Sequence, residues 1–202
     1  KFDADTLELN WTGSLPGKRE SRRFVTEYVL TETDILQNRT FNDVAFHGGW
    51  YLDFHPSEGI YSKADFCTQI PVDLYGIPLR CLFSSQSDNL LVCGRILGAS
   101  HAAFASTRIM DTCALSGQAA GTAASVLVSD QLKTPDLLDK SVYARIQALL
   151  VEGDMLLPGY HHEADEGTLS IEASSVIDGL PGKECGALSC HRDCFLAIPT
   201  EL

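Results

Sequence analysis

The sequence predicts an α/β fold in which a β-rich region, residues 1–88, leads into a strand, loop and helices over residues 89–158. Three observations carry this reading. Short apolar or alternating runs bounded by turn residues recur from Leu7 to Cys93, as half-buried strands do. A proline-free stretch from Thr112 to about Ser129 repeats small residues at helical spacing. Leu138, Val142, Ile146, Leu149 and Leu150 then form one apolar stripe.

Taken in order, Leu7, Leu9 and Trp11 alternate with Glu8 and Asn10, which reads as a strand with a sticky edge, ended by a turn at Leu15-Pro16-Gly17. Lys18 to Arg23 packs four cations and one glutamate into six positions, and taken alone is a solvated turn. Phe24 to Leu30 is strand-like. Thr31-Glu32-Thr33-Asp34 has the form of a capped helical turn with early acids. Phe41 to Phe46 fits a short apolar helix or strand, broken by His47-Gly48-Gly49. Trp50 to His55 reads as a strand, ended by Pro56. Residues 56–70 read as an irregular excursion, and strands are expected over 72–75 and 77–83.

Leu90 to Cys93 is an apolar run ending at Gly94, in the manner of a buried strand. In the helix that follows, Cys113, Gly117, Ala120, Gly121 and Ala124 share a face almost without side chains. Two interior glycines cost about 1 kcal/mol each relative to alanine, so this face is expected to press against a sheet, a helix or a flat ligand. Thr134-Pro135-Asp136 opens the last helix by cap, proline and early acid, and Gly153 closes it. Residues 159–202 read as a linker followed by a β-rich appendage, starting near Thr168 to Val176, or a disordered tail.

The 202 residues carry a formal net charge of −12, which argues against a nonspecific binder of nucleic acid or anionic membrane, since both need a basic surface. No apolar run approaches the length of a membrane span. Seven cysteines cannot pair completely within one chain, and Cys67, Cys81, Cys93 and Cys113 sit in apolar surroundings that suit buried thiols. No metal site is expected. His161-His162-Glu163 reads as a solvated linker, and Cys185, Cys190, His191 and Cys194 lack the paired Cys-x-x-Cys spacing of a structural zinc site. Asn10-Trp11-Thr12 and Asn38-Arg39-Thr40 match the glycosylation pattern without fixing a compartment.

The residues Gly94-Arg95, Ser100-His101, Ser106 to Met110 and Gly117-Gln118-Ala119-Ala120-Gly121, preceded by Leu15 to Arg23, form a long motif. It resembles the C-terminal flavin-binding segment of a family of FAD-dependent oxidoreductases, and the resemblance covers most of the chain, to about Pro158. It implies the C-terminal part of a two-dinucleotide-fold flavoprotein, with residues 1–88 as its substrate or cap region. FAD would accept or return hydride from a small organic substrate. The glycine-rich turn that holds the FAD pyrophosphate in that family is not found in this sequence. The expectation is therefore a fragment or processed product, inactive alone, that works with a missing N-terminal FAD-binding portion or a companion chain.

The resemblance also implies roles for individual residues. Gly94 and Arg95 would lie beside the ribityl chain or pyrophosphate, and the backbone N–H groups of Asp111, Thr112 and Cys113 would face the reduced flavin's negative pole. His101 would serve as the base for the proton that accompanies hydride transfer, with Arg108 binding a carboxylate or steadying oxyanion charge. Arg22 joins these two as a catalytic candidate. Arg19, Trp50, His55 and Arg80 are the substrate-binding candidates, with Asp53 beside them. Which arginine of the cluster points inward, and whether Arg80 pairs with an acid or reaches the active site, stay open. A rival reading is a non-catalytic, carbohydrate-associated structural or binding fragment, in which these residues serve only packing.

Overall fold

The computed structural model describes residues 4–15, 17, 19–63, 67–158 and 160, with the backbone of Ala187–Ser189 and Phe195–Ala197. It divides into two units, Lys1–Tyr160 and His161–Leu202. The first contains β-strands β1 (Val44–Gly48), β2 (Leu52–Phe54), β3 (Thr68–Ile70) and β4 (Tyr75–Pro78), and helices α1 (Glu32–Leu36), α2 (His101–Thr107), α3 (Met110–Ser129) and α4 (Lys140–Glu152). Strand β1 pairs antiparallel with β4, and β2 with β3. In the second unit, β5 (Ala187–Ser189) and β6 (Phe195–Ala197) pair antiparallel. The residues read there as histidine-rich linker, start of a β-rich appendage and cysteine cluster lie outside the described residues. This is a mixed fold of helices and small antiparallel sheets.

Local chemistry accounts for the elements that match expectation. Thr31 caps α1 in a full capping box: its hydroxyl accepts from the Asp34 N–H, and the Asp34 carboxylate accepts from the Thr31 N–H. Helix α3 packs on β1 and α4, burying Ala119, Ala123, Val126 and Leu127. Gln147 of α4 donates to the carbonyls of Asn42 and Val44 at 2.9 Å each, tying α4 to the start of β1. Segments 1–88 and 89–158 share a core, since Leu30 bridges to Ala99 and Phe46, Ile77, Leu97 and Ile146 are all buried.

Several expected elements take a different form. Residues 7–13 run without secondary structure and without a strand partner, leaving Leu9 and Trp11 exposed. Residues 24–30 make scattered backbone bonds to 80, 83, 96 and 98 rather than a ladder, because their neighbours are themselves irregular. The expected strand over 77–83 breaks at Leu79–Cys81 into a single 3-10 turn after Pro78, and Leu90 to Cys93 contributes one bridge, Leu91 to Phe83. The excursion at 56–70 hides β3, whose three residues are all exposed and so carry no apolar alternation. Thr134–Leu138 is a 3-10 turn, and α4 opens at Asp139, whose carboxylate accepts from the Ser141 N–H. Of the four thiols, Cys81 is buried, Cys67 and Cys113 are half-buried, and Cys93 is exposed.

Candidate flavin-facing site

The β1–β2 corner is built around Tyr75. Its ring fills the place where a side chain on Gly48 would sit, so only glycine fits there. Burial pushes the Tyr75 phenol up to about 12, keeping it a neutral donor. Ser106 of α2 donates to the Trp50 carbonyl, and the Tyr75 hydroxyl therefore donates to Ser106 Oγ at 2.7 Å. These bonds pin Trp50, two residues before β2, to α2.

At the far end of α2, Arg108 donates from Nη2 to the Asp53 carbonyl at 2.9 Å and to its carboxylate at 3.2 Å. The same carboxylate group accepts from His55 Nε2 at 3.1 Å and from Gln69 Nε2 at 3.3 Å. Arg108, Asp53 and His55 thus come together. Arg108 is largely buried and serves first to hold β2.

Helix α3 starts directly afterwards, and its N-cap, Ile109, offers no side-chain acceptor. The first turn of a helix leaves N–H groups without i−4 partners. Cys113 is past that point, since its N–H donates to the Ile109 carbonyl at 3.0 Å, so of the three residues chosen for backbone donors only Asp111 and Thr112 remain. The Cys113 thiol is raised above its ordinary value by burial, which outweighs the nearby Arg95. A hollow of about 270 Å³ opens here, lined by His47, Trp50, Leu74, Ile109, Asp111 and Thr112 among others. His47 Nδ1 donates to the Leu156 carbonyl at 2.8 Å. The buried Thr107 hydroxyl, at the junction of the two helices, has no partner among the described residues.

Gly94 sits at φ +70°, a left-handed conformation with open space where a side chain would be. Its N–H donates to Ser116 Oγ at 2.7 Å, and Ser116 donates to the Cys113 carbonyl at 2.6 Å. The buried Ser116 therefore clamps the turn Gly94–Ile96 to α3.

The other end of α2 carries His101, whose exposed ring donates from Nδ1 to Glu20 at 2.9 Å. Glu20 also pairs with Arg23. Burial works against its charge, but the His101 and Arg23 hydrogen bonds outweigh burial and hold its carboxyl below the usual range. Arg95 donates to the Arg19 carbonyl at 3.3 Å, while Arg19 and Arg22 are exposed. Seven helical residues span about 10 Å, so α2 separates His101 from Arg108. Arg80 lies in neither group. It forks onto the buried Asp43 at 2.9 and 3.0 Å, 5.2 Å over the Tyr28 ring, beside a different cavity lined by Leu137, Leu138 and Tyr143.

Sequence reasoning overlooked His47 and Ser116. His47 stood before two glycines and read as part of the break after a short helix or strand, whereas β1 runs through it to Gly48; the available signal was a polar ring beside two residues that let backbone approach closely. Ser116 shows as a hydroxyl on the α3 face toward the chain's own core.

Among the described residues no helix is long and apolar enough to cross a membrane, and no three His, Cys, Asp or Glu side chains gather as a metal would require. The residues at the start of α3 fit the ring end of a flavin, through helix N–H groups without intrahelical partners and an adjoining hollow. A family model described as FAD dependent oxidoreductase matches residues 2–150. No curated protein and no solved structure matches the chain. Since the match spans well over half the sequence, taking in both the arginine-rich loop and the stretch from Gly94 to Gly121, the chain belongs to the FAD dependent oxidoreductase family, whose cofactor is FAD.

Proposed function

We propose that this chain is the C-terminal, flavin-facing part of an oxidoreductase that moves hydride between a small organic molecule and FAD. The observation that carries the reading is the uncapped start of α3, opening on a hollow walled by Trp50 and His47. Hydride acceptance is the chemistry FAD supplies when bound. The N–H groups of Asp111 and Thr112 and the α3 dipole favour negative charge at the helix start, and Gly94 and Arg95 border the cofactor along the Ser116-clamped turn. His101, held by Glu20 through Nδ1 at the opposite end of α2, about 10 Å from Arg108, is the base for a substrate proton that reaches that end. Arg108 orients Asp53 and His55 on the substrate side, where Trp50 forms a wall. Arg22 and Arg19 supply positive charge at the opposite end of α2. Arg80, paired with Asp43, is the substrate candidate with the least freedom to reach a ligand.

The pyrophosphate is held by a glycine-rich portion that this sequence does not contain, docked on exposed apolar groups such as Leu90, Ile96, Met110 and Val128. Flavin absorbance bands that persist on the purified protein after gel filtration, with that portion present, are the expected result. Their absence overturns the reading. In the assembled flavoprotein, His101→Ala slows flavin bleaching by substrate about 100-fold. An unchanged rate removes His101 from the mechanism while leaving the cofactor assignment intact.

A further inference from the structure

We propose that the arginine-rich loop and the turn at Arg95 form a docking site for an oxyanion, the carboxylate or phosphate group of an acidic substrate. The proposal rests on the flavoenzyme reading and gives it a substrate class. A chain with a formal net charge of −12 repels anions over most of its surface. Against that background four arginines fall on two adjoining segments, Arg19, Arg22 and Arg23 on the loop and Arg95 on the turn. The loop lies alongside the turn, because Arg95 Nη1 donates to the Arg19 carbonyl at 3.3 Å and the Phe24 N–H to the Ile96 carbonyl at 3.3 Å.

One carboxylate of the loop lies among these cations, and it is already engaged. Glu20 accepts from Arg23 and from His101, and Arg23 is also held 5.8 Å over the Phe104 ring. The Arg19 and Arg22 guanidinium groups are exposed and have no hydrogen bond or ion pair among the described residues. Two unengaged guanidinium groups on one loop carry more donors than the protein uses, and their planar forks match carboxylate and phosphate oxygens. The hollow at the start of α3 has the opposite character, since its one acid is Asp111 and its walls are Trp50, Leu74, Ile109 and Leu115. An acidic group is therefore drawn to the His101 end of α2, and uncharged parts suit the Arg108 end.

Calorimetric titration of the purified chain with inorganic phosphate, and separately with succinate, tests the site. The double variant Arg19→Gln/Arg22→Gln is expected to weaken binding of both by at least about tenfold, the worth of one lost charge-assisted hydrogen bond. Lys63→Gln/Lys140→Gln removes the same formal charge from exposed positions elsewhere and is expected to change binding less than about twofold. Equal losses in the two double variants reduce the effect to net charge and overturn the proposal. ADP, which carries the pyrophosphate of FAD, separates the two sources of phosphate. A preference for ADP of about tenfold or more assigns the patch to the cofactor and also overturns the proposal. A protein that takes up no flavin defeats the flavoenzyme reading whatever phosphate does. One that takes up flavin but binds phosphate no better than the arginine variant defeats only the oxyanion site.

Discussion

At Arg80 the guanidinium forks onto Asp43, whose side chain is only 6% exposed. Removing the arginine would strand a buried carboxylate, so Arg80→Ala is expected to lower unfolding free energy by about 2–3 kcal/mol in urea melts. Flavin and substrate affinity should stay at wild-type values, and a KM effect without a stability loss would instead make Arg80 a substrate residue. Asp34 gives a pH dependence of known sign. Burial raises its pKa, but hydrogen bonds from the Thr31 backbone, Tyr28, the Thr31 hydroxyl and Arg39 outweigh burial and hold it below the ordinary carboxylate value. A depressed folded-state pKa contributes stability above the unfolded value, and this is lost as pH falls through the folded one. The stability gap between wild type and Asp34→Asn should therefore narrow steadily from about pH 5 downward, and a gap that stays constant in acid removes the charge from the account.

At the scale of elements, the parts legible in the sequence were those whose signal is local. The α1 capping box, the long α3 repeat and the glycine closing α4 depend on residues within a turn or two. The strands were harder, because β3 is exposed throughout and β4 is buried throughout, so neither alternates. The candidate site was legible through its motif residues, and the structure separates them into a His101 group and an Arg108 group at the two ends of α2. No one-dimensional spacing announces the bonds that cross between elements, such as Ser116 to Gly94, 22 positions apart. That clamp makes its own prediction. Ser116→Ala leaves the part-buried Gly94 N–H without its acceptor, and its amide should exchange with deuterium about tenfold faster, the equivalent of about 1.4 kcal/mol. Unchanged exchange at Gly94 would show that the turn is held by other contacts.

For the whole molecule, the telling feature is the α3 face that the chain does not use. Gly117 and Gly121 were expected to press against a sheet, a helix or a flat ligand, yet among the described residues a side chain on either meets nothing within 4 Å. Among the described residues the glycines have no packing reason, and each costs the helix about 1 kcal/mol relative to alanine. Gly121→Ala should therefore stabilise the isolated chain by up to about 1 kcal/mol, read as a higher urea midpoint at unchanged slope. The bulkier Gly117→Leu should likewise fold normally. If the proposed glycine-rich portion completes the flavoprotein, the effect should reverse there. If the pyrophosphate-binding portion lies against this face, Gly117→Leu inserts a side chain between two packed backbones, and flavin uptake should fall at least about tenfold. Stabilisation of the chain together with loss of flavin would locate the docking surface on α3. Stabilisation with full flavin uptake would move that surface elsewhere, to the exposed apolar segment around Leu9 and Trp11.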